Sequence, residues 1–211
     1  EKIFIARNLS DCKFINKKFE FNNNYNDENR LNLLFFSRIA KMKNLKFLIN
    51  LLLHLDIKFK LHIYGPVIDE KYWNDCLKEL KNYNNTSQQY EYFGPVYSNI
   101  PDIFLKMDYF LLPTLGENFG HTIFESLSNG VPVIISDRTD WHLISFANES
   151  IISLPLNDKK IWQDKIIELS KIDNKKKEYF KKKAISFIKQ YCEDNKSLHD
   201  HNKLFKKFNV L

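Results

Sequence analysis

From residue 31 onward the sequence repeats one unit: a short, almost wholly apolar run, a turn, then a longer stretch with apolar residues at helical spacing. The runs 31–37, 57–64, 89–93, 108–113, 131–136 and 150–154 read as strands. The stretches 44–55, 69–83, 100–107, 120–128, 159–170, 175–191 and 196–208 read as helices. Runs such as Leu33-Leu34-Phe35-Phe36 have no polar face, which fits strands buried on both sides. Strands alternating with helices imply an α/β domain built on a parallel sheet. In such sheets ligands bind at the carboxyl ends of the strands, where strand order reverses. Function is therefore sought in the loops after Phe36, Tyr64, Phe93, Pro113 and Ile135.

The 211 residues are 44% hydrophobic and 27% charged, which excludes a disordered or collagen-like chain. No apolar stretch reaches the ~18 residues of a membrane-spanning helix. Residues 3–7 read as a short strand, and the Asn-rich stretch 8–30 as a linker. Cys12, Cys76 and Cys192 form no CxxC pair and read as reduced thiols in a cytosolic protein. The chain opens on Glu1 without Met, which reads as a piece of something longer. The formal charge is +6, yet only Arg7, Arg30, Arg38 and Arg138 are arginines. Lys, Asn, Ile, Phe and Tyr are abundant together, a set that AT-rich codons encode. The basic excess therefore calls for no nucleic-acid partner; it is a solvated surface or a contact with an anionic one.

Two strand ends carry chemistry. Ser37-Arg38-Ile39-Ala40-Lys41-Met42-Lys43-Asn44 sets Arg38 and Lys43 before a helix, where they could converge on one anion or be ordinary surface residues. Pro113-Thr114-Leu115-Gly116-Glu117-Asn118-Phe119-Gly120-His121-Thr122 leads into a second helix. Bare Gly120 admits close approach to the backbone, and the N–H groups of Gly120, His121 and Thr122 at the helix start could hold a phosphate. Glu125 could accept bonds from vicinal hydroxyls or lie on a solvated helix face.

In this order the motifs resemble those of retaining glycosyltransferases of family 4, with the GT-B fold, in their C-terminal, donor-binding half. Ser37-Arg38-Ile39 with Lys43-Asn44 is similar to G-R-L-x-x-x-K-G, Asn44 and Ser37 standing for glycines. Leu61-His62-Ile63-Tyr64-Gly65 matches a strand end of the family, and Tyr92-Phe93-Gly94-Pro95-Val96 resembles F-x-G-x-V without the residue between Phe and Gly. Asp108 to Pro113, Glu117-Asn118-Phe119-Gly120, Glu125, and Ser128-Asn129-Gly130-Val131-Pro132-Val133 follow in order. Residues 3–8 are similar to the segment that opens this half. The usual Gly-Gly and Glu after the last of these strands are replaced by Asp137-Arg138-Thr139-Asp140-Trp141.

The resemblance implies a Rossmann-like parallel sheet with flanking helices: a linker over 1–30, a nucleotide-sugar domain over 31–173, and C-terminal helices over 174–211 turned toward an N-terminal acceptor domain this chain lacks. It implies a hexosyltransferase that retains anomeric configuration, makes a surface polysaccharide of bacterial type, and is inactive as this chain alone. Glu117, Arg38 and Lys43 take the catalytic roles. Arg38, Lys43, Gly65, Val96, Phe119, Gly120, His121, Thr122 and Glu125 hold the donor, a UDP or GDP sugar. No D-x-D motif is present, so no metal or other cofactor is expected. The expected location is the cytoplasm, with peripheral contact to an anionic membrane as the lesser reading of the Lys-rich helix. A nucleotide-sugar 2-epimerase of the same fold and a non-catalytic binding module are the alternatives. His54 and His62 read as structural, and His199-Asp200-His201 beside Cys192 as surface. Trp141 reads as core packing or as a stacking platform.

Overall fold

The computed structural model describes residues 30–83, 87–145 and 148–193. The strand expected over 3–7, most of the linker over 1–30, the helix over 196–208 and the His199-Asp200-His201 run lie outside the described residues.

Among the described residues, six strands form one parallel sheet in the order β3-β2-β1-β4-β5-β6. They are β1 (Leu31–Phe36), β2 (Phe59–Tyr64), β3 (Gln88–Gly94), β4 (Tyr109–Leu112), β5 (Val133–Ser136) and β6 (Ile151–Leu154). The central strands are the apolar ones. Leu33, Leu34 and Phe35 of β1 and every residue of β4 and β5 are buried, because helices cover both faces. Each large apolar side chain so buried contributes about 1.5–3 kcal/mol. The fold is α/β and Rossmann-like, as the alternation of elements implies.

Among the described residues, seven helices connect or flank the strands: α1 (Leu45–Leu52), α2 (Glu70–Leu80), α3 (Ile100–Leu105), α4 (His121–Ser128), α5 (His142–Ser145), α6 (Lys159–Ser170) and α7 (Asn174–Glu193). Their starts follow local chemistry. Asp69 caps α2 by accepting from Tyr72 N at 2.9 Å, and Asp158 caps α6 by accepting from Lys160 N at 2.9 Å. Asn44 has φ 58 and interrupts the run into α1, so a 3-10 turn over Lys41–Lys43 precedes the helix. The short α5 is not visible in the hydrophobic spacing, since none of its residues is buried.

Helix α7 packs inward through Phe180, Ala184 and Ile188. It is also tied to the sheet by a charge pair. Lys177 Nζ donates to Asp108 at 3.1 Å, and the other oxygen of this buried carboxylate accepts from Asn32 N at 2.7 Å. Of the thiols, Cys76 is free and buried. Cys192 is disulfide-bonded, which corrects the reading of all three as reduced. Spacing along the chain says nothing of which sulfurs the fold brings together. No helix among the described residues is long and apolar enough to cross a membrane.

Candidate functional site

Strand order reverses between β1 and β4, its central pair. The chain moves from β1 outward to β3, then returns to β4 on the other side of β1. The loops leaving these two strands therefore diverge, and a cleft opens between them. It has a volume of ≈ 330 Å³.

Backbone bonds fix its walls. Leu115 N donates to Met42 O at 2.8 Å, and Thr114 Oγ1 donates to the same carbonyl at 3.1 Å, so the loop after β4 is sewn to the loop after β1. Ser136 Oγ donates to Thr114 O at 2.6 Å and Glu117 N to Arg138 O at 3.3 Å, which ties the loop to the end of β5. On the other side Ser37 N donates to Tyr64 O at 3.0 Å and Ile39 N to Pro66 O at 2.8 Å. Gly65 makes that seam possible. At φ 135 it presses on the Ser37 carbonyl, and a Cβ there would lie 1.9 Å from the oxygen.

The cleft gathers most of the residues singled out in the sequence. Arg38, Lys43, Gly65, Val96, Glu117, His121 and Thr122 line it together with Phe36, Pro66 and Tyr97. Arg38 is exposed at the cleft, whereas Lys43 is 8% exposed and forms an ion pair with Glu117. The ammonium and the carboxylate thus face each other across the gap between two strand ends. His121 and Thr122 are the first residues of α4, where N–H groups have no intrahelical acceptor. Positive charge, a carboxylate and a helix N-terminus converge on one small volume. Such a set suits an anion bearing hydroxyl groups.

Three of the expected donor-binding residues are not among those lining the cleft. Gly120 is buried beneath it, at φ 76, and a Cβ there would come 2.8 Å from Ile123 Cδ1. Phe119 packs against Trp141, ring centroids 5.7 Å apart. Glu125 is half-buried one turn further along α4, and burial pushes its carboxyl above the usual range, the nearby His121 opposing this. Trp141 itself is 3% exposed. Its indole N–H donates to Phe119 O, and its ring lies against Phe187 and Tyr191 of α7. It is a core residue that braces the Phe119 loop.

Tyr97 was not singled out in the sequence, though it is 87% exposed at the cleft. Its only sequence signal is its place right after the Gly94-Pro95-Val96 strand end. His62 is structural, as expected. It stacks on Phe93 at 5.8 Å and lies 3.3 Å from Asn32 Oδ1, and burial with Lys60 nearby lowers its pKa to about 4.

A protein-family model described as "Glycosyl transferases group 1" matches residues 16–187. Among curated proteins, the chain is 27% identical over 177 residues to an uncharacterized 41.2 kDa protein in the cps region of Klebsiella pneumoniae. The match covers 77% of this chain and 47% of that protein, so the chain spans about half the length of the curated relative it matches. Among solved structures, Anabaena Alr3699/HepE in complex with UDP and glucose superposes with a TM-score of 0.70 at 16% identity, over 87% of this chain and 49% of that one. WaaG, a glycosyltransferase involved in lipopolysaccharide biosynthesis, does so with a TM-score of 0.62 at 17% identity, over 77% and 43%.

Proposed function

The chain belongs to the glycosyl transferases group 1 family, and from that premise we propose that it is the donor-binding half of a retaining, metal-independent hexosyltransferase. The observation that carries the reading is the cleft at the strand-order reversal. There Arg38, Lys43, Glu117 and the first turn of α4 meet. The donor is a nucleoside diphosphate sugar, and the acceptor a glycan or lipid-linked saccharide of a surface polysaccharide. UDP in the Anabaena neighbour and the lipopolysaccharide role of WaaG support these classes.

The chemistry follows from charge. Breaking the bond between the sugar C1 and the diphosphate oxygen builds negative charge on the leaving phosphate and positive charge on the sugar ring. Fixed cations and helix N–H groups stabilise the leaving group without reorganising, which is the main source of catalysis here. Arg38, Lys43 and the start of α4 take that role. No D-x-D sequence occurs in the chain to hold a divalent metal for the same purpose. Glu117 orients the donor sugar through its hydroxyls, and Glu125 receives the ribose. Gly65 and Val96 flank the base.

Calorimetry of the 211-residue chain with UDP, GDP, ADP and their sugars, in the presence of chelator, tests the reading. One of these nucleotides binds, in the micromolar range or weaker. Arg38→Ala, at an exposed position, weakens that binding by about 1.5–3 kcal/mol, the worth of a charge-assisted hydrogen bond, with the melting temperature unchanged. No binding of any nucleotide, or binding that appears only on adding Mg or Mn, would overturn it.

A further inference from the structure

Helix α7 holds seven lysines and two glutamates in 20 residues. Nearly all of the chain's net charge of +6 is therefore concentrated on one helix. The lysines fall into two sets. Lys177 is turned to the buried Asp108, and Lys181 is half-buried beside it. Lys189 is exposed toward the end of the helix, and Lys175, Lys176, Lys182 and Lys183 are exposed toward its start. These four stand at i−4, i−3, i+3 and i+4 from Tyr179, the spacing that surrounds one side chain on a helix face. Tyr179 is itself 39% exposed. Lys176 Nζ lies 4.7 Å and Lys183 Nζ 5.4 Å from its ring centroid. Of these four, Lys182 shares its charge with an acid among the described residues, Glu178 at 2.7 Å. Ser186 and Gln190 continue the exposed stripe, which runs about 22 Å along the helix.

The helix packs on the rest of the fold through Phe180, Ala184 and Ile188, not through this stripe. Lys176 and Lys183 gain from the Tyr179 ring and Lys182 from Glu178, yet so many ammonium groups on one face still repel each other. Facing a plane of negative charge, the same arrangement is favourable. Lysines are compact, strongly hydrated charges on flexible stems, suited to many loose phosphate contacts rather than a few forked ones. A tyrosine at their centre has the amphipathic ring that settles at the level of lipid headgroups. We propose that the outer face of α7 docks this protein on a membrane surface rich in anionic lipid. The contact is peripheral and reversible, as expected for a polybasic patch without an acyl chain.

The test is co-sedimentation of the full 211-residue chain with vesicles of phosphatidylcholine, alone or with about 30% phosphatidylglycerol, a fraction typical of anionic leaflets. Binding is expected to the mixed vesicles only, and to fall as salt is raised. Replacing Lys175, Lys176, Lys182 and Lys183 by Gln is expected to lower partition on the order of 100-fold. Tyr179→Ala lowers it several-fold. Replacing Lys58, Lys71, Lys81 and Lys160 by Gln changes net charge equally and leaves partition nearly intact. Circular dichroism confirms that all the variants are folded, and a melt below the assay temperature is rescued by the charge-keeping Lys→Arg set. Absence of binding to the mixed vesicles, or equal losses in both quadruple variants, would overturn the proposal. So would binding to duplex DNA as tight as to vesicles with no effect of Tyr179→Ala, which would make the stripe a polyanion site instead.

Discussion

At the scale of single residues, the Lys43 ammonium is held by the Glu117 carboxylate. A diphosphate entering the cleft must share that cation. Glu117→Gln removes the competing charge, so the affinity for UDP without sugar should rise by about 1 kcal/mol, roughly fivefold. Calorimetry decides it; weaker binding would mean that Glu117 serves mainly to hold Lys43 in place. Lys43→Ala is a poorer probe, because it strands a carboxylate that is 12% exposed and costs stability of about 1–3 kcal/mol as well. Glu125 gives an experiment with two opposite signs. Burial raises its pKa in the folded chain, so the folded state holds more protons than the unfolded between the unfolded and folded values. Stability from this group falls as pH rises through that window, and the penalty is complete above it. Glu125→Gln should therefore melt higher than the parent at pH 7 and lose the advantage in acid. The same change should weaken nucleoside binding at pH 7 if the carboxylate receives ribose hydroxyls. A variant that is no more stable, or one that binds uridine-type ligands as well as the parent, contradicts the respective half.

At the scale of elements, the cleft depends on how closely strand ends approach. Gly65 follows β2 with its backbone against the Ser37 carbonyl. No rotamer can relieve a Cβ 1.9 Å from a backbone oxygen, so Gly65→Ala must part the two loops. We expect a loss of about 3 kcal/mol or more, within the range of mutations that strain a special backbone position. Urea unfolding would show it, together with lost nucleotide binding; a midpoint within error of the parent would refute the seam. Asn44 is the milder counterpart. The resembling family has glycine there, and Asn is the side chain that best tolerates the φ of 58 that the turn into α1 requires.

At the scale of the whole molecule, the proposed function makes this chain one wall of a reaction site. It spans 47% of its curated relative and 49% of the Anabaena structure. Orienting an acceptor and excluding water take an opposing surface. The purified 211-residue chain should bind donor and form no glycoside product, with donor hydrolysis at most slow. Product analysis showing transfer near ~1 s⁻¹, an ordinary enzymatic rate, would refute this. The parallel α/β fold was legible because its strands have no polar face and its helices keep one apolar stripe, and such patterns are local. The residues that meet in the cleft were legible through motif order, since a strand end fixes where its next few residues stand. Contacts between distant segments were not legible. That Lys43 pairs with Glu117, that Trp141 braces Phe119, that Tyr97 reaches the cleft while Glu125 does not line it, and that Cys192 is bonded all depend on which loops the sheet sets side by side. Sequence spacing specifies the turns and faces of each element; only strand order and register specify the distances between them.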